Sequence, residues 1–160
     1  MQKIEDQVFQ LLKQHRITLS TAESATGGMI ASLLVNVPGV SEFFQEGYVT
    51  YSNDAKVKMI GVDRMLIDTY GVVSSEVAEN MAISVAKTAE TDAALSVTGV
   101  AGPDGGTLDC PVGTIYISCF FKGKTVTEHH VFAGDRLEIR KAAAERALEL
   151  LIEQIKRNIL

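Results

Sequence analysis

The sequence predicts a single three-layer α/β/α sandwich around a mixed, mostly parallel β-sheet, for three reasons. Helical and strand-like patterns alternate along most of the 160 residues, which is typical of a parallel sheet covered by helices. The run 92–98 is short and mostly apolar, as expected for a central strand buried on both faces. Two β-rich runs, 113–121 and 124–132, are separated only by Lys122 and Gly123 and predict a hairpin that closes the sheet with an antiparallel strand.

The first third of the chain predicts a helix, a strand and a second helix. Apolar residues at three- and four-residue spacing predict an amphipathic helix over 2–14, and a β-prone run follows at 17–21. A second helical pattern begins at Thr26 and ends at Pro38. Ser24 therefore lies at a predicted turn from strand to helix.

The middle of the chain continues the alternation. The β-prone run 47–51 is followed by a segment that opens like a capped helix, with Ser52 or Asn53 as the N-cap. Lys56 then lies in the first or second turn of that helix. A third helical pattern follows a pair of serines and runs to about Glu90.

The C-terminal segment predicts one long helix. Asp135 is its expected N-cap and Glu138, three residues on, its capping partner. Because no linker or internal repeat interrupts the chain, we expect one domain over 1–160. The residues expected to face inward are Leu137, Ala144, Leu148, Leu151 and Ile155.

The composition narrows the class of protein. Fifteen Lys and Arg against 20 Asp and Glu give a net charge of −5, which disfavours nucleic acid as a partner. No run of 18 apolar residues and no signal peptide is present, so we expect a cytoplasmic protein with no membrane partner. Cys110 and Cys119 fit neither a redox pair nor a zinc site and are interpreted as reduced thiols.

Three loops, 23–28, 51–56 and 98–106, follow predicted strands. They should meet at the carboxyl edge of the sheet, where ligands bind in open α/β folds. The third loop is rich in glycine but matches neither a Walker A loop nor a dinucleotide-binding fingerprint. It offers backbone N–H groups for an anion, or it is simply a wide turn between two strands. Its glycines are Gly99, Gly102, Gly105 and Gly106.

Ser24 and Thr26 have two interpretations. Both are favoured helix N-caps, and that structural role is the commoner one. Alternatively, Gly27 and Gly28 leave the backbone open, and a hydroxyl at a helix N-terminus is placed to act on an oxyanion or phosphate. A serine becomes a nucleophile only when a base removes its proton.

Lys56 is the best candidate base. A lysine in a desolvated pocket loses proton affinity and can act near neutral pH, although a lone helix lysine is more often exposed. His15 lies in a polar stretch of the first helix, and His129 and His130 point to opposite faces of a predicted strand. A Ser-His-Asp triad is therefore weakly supported, and a zinc site is not supported.

Three motifs in order resemble the CinA C-terminal-domain family, the nicotinamide-nucleotide amidases. The likeness runs from about residue 4 to residue 155. Two shorter matches, Pro111-Val-Gly-Thr-Ile and Gly134-Asp-Arg136, follow the third motif. The three motifs are Ala22-Glu-Ser-Ala-Thr-Gly-Gly, Val49-Thr-Tyr-Ser-Asn-Asp-Ala-Lys56 and Thr98-Gly-Val-Ala-Gly-Pro-Asp-Gly-Gly106.

The resemblance implies hydrolysis of the carboxamide of nicotinamide mononucleotide to nicotinate mononucleotide and ammonia, in pyridine nucleotide salvage. It implies an anticodon-binding-domain-like fold, no metal or other cofactor, and is compatible with a homodimer. By motif position it places the nucleophile at Ser24, the lysine base at Lys56, a tyrosine at Tyr51 and a hydroxyl residue at Thr98. Residues near Arg136 and Arg140 would help to bind the phosphate of the nucleotide.

Combined with the residue chemistry, this gives a mechanistic hypothesis. Lys56 takes the proton of Ser24, and Tyr51 or Thr98 orients the lysine. Backbone N–H groups of 26–28 form the oxyanion hole, and the loop 99–106 cradles the ribose phosphate.

Two departures from the commoner pattern of the family concern substrate preference more than reaction type. Ala25 stands where many relatives carry cysteine, and Cys110 stands where a charged residue is common. Other readings stay open: a catalytically silent nucleotide-binding paralogue, or a competence-associated interaction module. Binding of nucleotide without ammonia release would favour the former.

Overall fold

The computed structural model describes residues 1–159 as one five-stranded sheet with helices packed on both faces. A short 3₁₀ turn, Val40–Glu42, precedes the second strand. The strands are β1 (Leu19–Glu23), β2 (Phe44–Val49), β3 (Ala93–Gly99), β4 (Thr114–Phe121) and β5 (Lys124–Val131). The helices are α1 (Ile4–His15), α2 (Met29–Leu34), α3 (Asn53–Ile60), α4 (Arg64–Tyr70), α5 (Ser75–Ala89) and α6 (Arg136–Ile159).

The strand order in the sheet is β2-β1-β3-β4-β5. β1 pairs in parallel with β2 and β3, whereas β4 pairs antiparallel with both β3 and β5. Only β4 therefore runs against the other four strands, and the expected mixed, mostly parallel sheet is confirmed. The antiparallel strand lies inside the sheet and not at its edge, because the hairpin returns β5 to the common direction.

Two hydrophobic cores, one on each face of the sheet, make the three layers. On one face, α1, α2 and α6 cover side chains such as Leu19 and Leu95. On the other, α3, α4 and α5 cover Ala22 and Ala94. Neighbouring residues of one strand thus serve opposite cores, as the two-residue period of a strand requires. This arrangement confirms the α/β/α sandwich.

Several element boundaries differ from expectation. α2 begins at Met29 and not at Thr26, because Gly27 and Gly28 adopt left-handed backbone angles with φ of 56° and 99°. The sequence pattern does not predict α4 as a helix of its own. Ser52 is the N-cap of α3, and its side chain accepts the N–H of Ala55 at 3.0 Å.

The long C-terminal helix begins with the expected capping box. The Asp135 N–H donates to Glu138 at 2.8 Å, and the Glu138 N–H donates to Asp135 at 2.9 Å. Leu148 and Leu151 are fully buried, but Leu137 is 48% exposed, so its predicted inward orientation is wrong. Leu137 lies in the first turn of α6 on its exposed side, whereas Ile139, two residues on, is buried in the core.

One helix, α6, has the length that a membrane span requires, with 24 residues. Its sequence carries acidic and basic side chains from the first turn to the last. Within residues 1–159, no helix is both long and apolar enough to cross a membrane.

Candidate active site

The three motif loops meet in one cavity of about 310 Å³ at the carboxyl ends of β1 and β3. Their convergence follows from the parallel pairing of β1 with β2 and β3, which sends the chain out at the same edge after each strand. The sequence-predicted site residues that line the cavity are Ser24, Tyr51, Lys56, Thr98, Gly99, Gly102, Gly105 and Arg136.

Ser24 and Lys56 lie side by side in this cavity. The Nζ atom of Lys56 is 3.2 Å from the Oγ atom of Ser24, and the lysine side chain is completely buried. Burial lowers the pKa of Lys56 to about 8. Within residues 1–159, no carboxylate forms an ion pair with it. A substantial neutral fraction near physiological pH can therefore accept a proton from the serine.

The Thr50 carbonyl orients Lys56. It accepts a 2.8 Å hydrogen bond from Nζ. Thr50 is itself fixed to the sheet, because its N–H donates to the Glu23 carbonyl at 2.9 Å. Sequence reasoning assigned this orienting role to Tyr51 or Thr98 and missed Thr50, since a backbone carbonyl leaves no mark on residue type.

Thr98 and Tyr51 have other partners. Thr98 is 1% exposed, and its hydroxyl donates to the Val72 carbonyl at 2.9 Å, which braces the loop before α5. Tyr51 lies at the mouth of the cavity, where its hydroxyl accepts from Arg136 at 3.2 Å. Neither hydroxyl makes a hydrogen bond to Lys56 among the bonds of residues 1–159.

The two arginines have different environments. Arg136 lines the cavity and donates to the Gly102 carbonyl at 2.6 Å, so it joins the glycine loop to Tyr51. Arg140 is outside the cavity lining and donates to the carbonyls of Ala25 and Thr26, both at 3.0 Å. Backbone carbonyls engage two of the three guanidinium nitrogens of Arg140, so Arg136 is the better placed of the two for phosphate, and the expected phosphate role of these arginines stays a prediction.

The turn after Ser24 is held by hydrogen bonds among its own residues. Thr26 is fully buried and donates to Glu23 at 2.7 Å, and the Gly27 N–H donates to the Ser24 carbonyl at 3.0 Å. Thr26, Gly27 and Gly28 lie outside the cavity lining. Gly27 thus gives its N–H to the turn, whereas no hydrogen bond within residues 1–159 uses the N–H of Thr26 or Gly28. The oxyanion hole expected at 26–28 stays a prediction. Ala25 does line the cavity, and no hydrogen bond within residues 1–159 uses its N–H.

The glycine loop packs tightly against the segment that leads into β4. A Cβ atom at Gly99 would overlap the Thr114 carbonyl, and one at Gly102 would overlap the Val112 side chain. Gly106 lies outside the cavity lining, and a Cβ atom there would meet the Val112 N–H at 2.7 Å. Close packing thus accounts for part of the glycine content that the sequence pattern attributed to anion binding.

Sequence reasoning missed several residues at or behind the cavity. Asn53 and the exposed carboxylate of Asp104 line it, and Val72 and Val73 form an apolar wall. Glu23, buried behind Ser24, accepts hydrogen bonds from the turn. Only Glu23 carried a sequence signal, as a carboxylate inside a buried strand beside the candidate nucleophile.

Other reactive side chains are engaged elsewhere. His129 stacks on Tyr116, and His130 bonds to Glu128 at 2.7 Å on β5. Burial raises the pKa of the Cys119 thiol to about 12, so it is no thiolate nucleophile near neutral pH. Within residues 1–159, no three His, Cys, Asp or Glu side chains form a metal-binding group.

The chain is similar to known proteins over almost its full length. The sequence profile of the CinA C-terminal domain matches residues 1–155. A protein of Clostridium beijerinckii that carries the name competence-damage inducible protein is 50% identical over 148 residues, which are 92% of this chain and 36% of that protein. A CinA-like protein of Kosmotoga olearia is 47% identical over 150 residues, which are 94% of this chain and 36% of that protein.

Solved structures share the fold. A CinA superfamily protein from Escherichia coli superimposes with a TM-score of 0.90 and 34% identity, covering 95% of this chain and 90% of that one. A competence/damage inducible protein from Agrobacterium tumefaciens gives a TM-score of 0.89 and 36% identity, with 94% of both chains covered. The chain spans a little over a third of the length of the curated relatives it matches. By profile, identity and fold, it belongs to the family of CinA C-terminal domains.

Proposed function

We propose that this chain hydrolyses the carboxamide of nicotinamide mononucleotide to nicotinate mononucleotide and ammonia. One observation carries the proposal: Ser24 Oγ and Lys56 Nζ are 3.2 Å apart in a cavity, and no carboxylate within residues 1–159 pairs with the lysine. Amide hydrolysis needs a nucleophile, a group that moves protons and a stabiliser of the oxyanion, and the cavity contains a candidate for each.

The first half-reaction forms an acyl-enzyme. Neutral Lys56 accepts the hydroxyl proton as Ser24 Oγ attacks the carboxamide carbon, and the carbonyl oxygen becomes an oxyanion. The N–H groups of Ala25, Thr26 and Gly28 form no hydrogen bond within residues 1–159 and are the candidate donors for that oxyanion, and of these three residues Ala25 lines the cavity. Lys56 then returns the proton to the departing nitrogen, the C–N bond breaks, and ammonia leaves.

The second half-reaction uses one water molecule. Lys56 takes a proton from the water as its oxygen attacks the ester carbon, and the ester bond to Ser24 breaks. The proton returns to the serine oxygen, which releases the carboxylic acid and restores the enzyme. The Thr50 carbonyl holds Nζ in place during both steps.

The phosphate of the substrate needs a local positive site, because the chain carries a net charge of −5. Arg136 lines the cavity and, within residues 1–159, bonds only to the neutral oxygens of Gly102 and Tyr51. Its charge thus remains available to an anion. The N–H groups of Gly102 and Gly105 in the same loop would complete the cradle.

An ammonia-release assay tests the proposal with nicotinamide mononucleotide, its riboside and free nicotinamide as substrates. We expect the mononucleotide to be the best substrate, and both Ser24→Ala and Lys56→Met to lose at least about 10³-fold in kcat. Lys58→Met is the matched control, because Lys58 is an exposed lysine on the same helix. An unchanged rate in Ser24→Ala would overturn the mechanism. Nucleotide binding without ammonia release from the wild type would identify a silent binding protein instead.

A further inference from the structure

Glu23 is the last residue of β1, directly before Ser24, and its side chain is 1% exposed. Its carboxylate accepts three hydrogen bonds, all from residues that follow the serine. They come from the Thr26 hydroxyl at 2.7 Å, the Ile30 N–H at 2.8 Å and the Ala31 N–H at 3.2 Å. The side chain thereby connects the turn that follows Ser24, and the start of α2, to the end of β1.

The three donors replace the hydrogen bonds to water that the Glu23 carboxylate loses on burial. Within residues 1–159, no basic side chain pairs with Glu23. The first N–H groups of α2 also need an acceptor, because Gly28 at the N-cap offers no side chain. Glu23 supplies that acceptor from a neighbouring strand, so the start of α2 is tied to the sheet.

The backbone of Glu23 reaches the other member of the reactive pair. Its carbonyl accepts the Thr50 N–H at 2.9 Å, and the Thr50 carbonyl accepts from Lys56 Nζ at 2.8 Å. Glu23 therefore connects the turn that carries Ser24 with the backbone that holds Lys56. It is absent from the cavity lining, so it acts without touching a substrate.

We propose that Glu23 is a positioning residue: its carboxylate holds the turn 24–28 so that Ser24 Oγ stays within reach of Lys56 Nζ. This inference rests on the proposed function of the site. A positioning role affects the attack of the serine and leaves substrate affinity nearly unchanged. Displacing a reacting group by about 1 Å can cost roughly 10²-fold in rate.

Glu23→Gln is the central variant. Glutamine keeps the size of the side chain but turns an NH₂ group toward a backbone N–H, which places two donors together. We expect kcat for ammonia release to fall about 10²-fold and KM to change less than about twofold. Glu42→Gln is the matched control. It makes the same replacement of carboxylate by carboxamide at an exposed glutamate and should keep the wild-type rate.

Thr26 provides a second, milder pair of variants if Glu23→Gln does not fold. Thr26→Val keeps the shape but removes the hydroxyl that donates to Glu23, and Thr26→Ser retains that hydroxyl. We expect Thr26→Val to lower kcat several-fold at constant KM, and Thr26→Ser to recover most of the loss. Equal kcat in Thr26→Val and Thr26→Ser, or a wild-type kcat in folded Glu23→Gln, would overturn the inference.

A second readout separates this inference from the proposed function. The rate at which a fluorophosphonate probe labels Ser24, followed by mass spectrometry, reports the reactivity of the serine with no nucleotide present. We expect Glu23→Gln to slow labelling in parallel with kcat. If the wild type labels but releases no ammonia, the proposed substrate is wrong, and the labelling ratio still tests Glu23. Equal labelling of the wild type and Glu23→Gln would refute the positioning role.

Discussion

The Nζ atom of Lys56 lies 3.2 Å from Ser24 Oγ, and this lysine is completely buried. Among the described residues 1–159, its one other hydrogen-bond partner is the Thr50 carbonyl. A carboxylate beside the lysine would stabilise its charged form and raise its pKa. Its absence within residues 1–159 leaves burial as the dominant effect, and burial lowers the pKa to about 8. The distance and the lowered pKa support the proposed proton transfer from Ser24 to Lys56 near neutral pH.

The pH dependence of activity follows from this pKa. Only the neutral amine accepts a proton, so kcat/KM for ammonia release should rise about tenfold between pH 7 and 9, with its midpoint near 8. Stopped assays over this range, with substrate stability checked in parallel, measure the profile. A rate independent of pH between 7 and 9 would contradict lysine as the base.

The same pKa makes stability depend on pH. Between the folded value of about 8 and the ordinary value of 10.5, the unfolded chain binds more protons at Lys56 than the folded chain does. Stability contributed by this group therefore rises as pH rises. Relative to Lys56→Met, the wild type should gain roughly 1.4 kcal/mol of unfolding free energy between pH 7 and 9. Urea titrations of both proteins at the two pH values measure it, and a constant difference would exclude the lowered pKa.

Substitution of the two arginines near the cavity should change different kinetic constants. Arg136→Gln should raise KM for the mononucleotide by about tenfold or more, because a charge-assisted bond to phosphate is lost, and should leave the riboside unaffected. Arg140→Gln should lower kcat for both substrates, since Arg140 holds the carbonyls of Ala25 and Thr26. If Arg140→Gln instead impaired only the phosphorylated substrate, the phosphate-binding role expected from the sequence would hold for Arg140 and the structural role would be wrong.

Packing of the glycine loop can be tested with a matched pair of substitutions. Gly102 and Gly105 have similar backbone angles, with φ of 80° and 88°, so alanine is strained at both. Only at Gly102 does the added Cβ overlap Val112, and Gly102→Ala should therefore cost roughly 1–3 kcal/mol more than Gly105→Ala. Thermal unfolding compares them. Val112→Ala should rescue part of the Gly102→Ala loss, and no rescue would argue against this contact.

The ion pair that ties β5 to α6 should govern stability in acid. Arg146 donates to both carboxylate oxygens of Glu128, at 2.7 and 2.9 Å, and these bonds, with a smaller contribution from His130, lower the pKa of Glu128 to about 2. Stability from this group is present above the ordinary pKa of 4.5 and is lost as pH falls toward 2. Because the pair is partly exposed, Glu128→Gln should cost about 1 kcal/mol at pH 7. Urea titrations of both proteins should show this difference in unfolding free energy shrinking as the pH falls from 5 to 3. A difference that does not change with pH would argue against a stabilising ion pair.

The fold could be predicted from the sequence because local patterns and overall topology agree. Hydrophobic periodicity marked the helices, and the order of elements required loops at a common edge. The turn after Ser24 could not be predicted in the same way, since its geometry depends on Glu23 and Arg140, which approach from a strand and a distant helix. Motif position brought Ser24 and Lys56 to one cavity, but only the structure shows that a main-chain carbonyl holds the lysine.

The direction of β4, the one strand that runs against the other four, determines where a fluorescent label can be attached away from the cavity. Because β4 starts at the cavity edge, the Lys122–Gly123 turn emerges at the opposite edge, separated from the cavity by the seven residues of β3, roughly 23 Å of extended chain. A dye attached to the cysteine of Gly123→Cys, where an added Cβ atom meets no other residue, would report on that far edge without entering the cavity. Cys119 is buried and Cys110 only partly so, which makes Cys110 the native thiol to replace before such labelling.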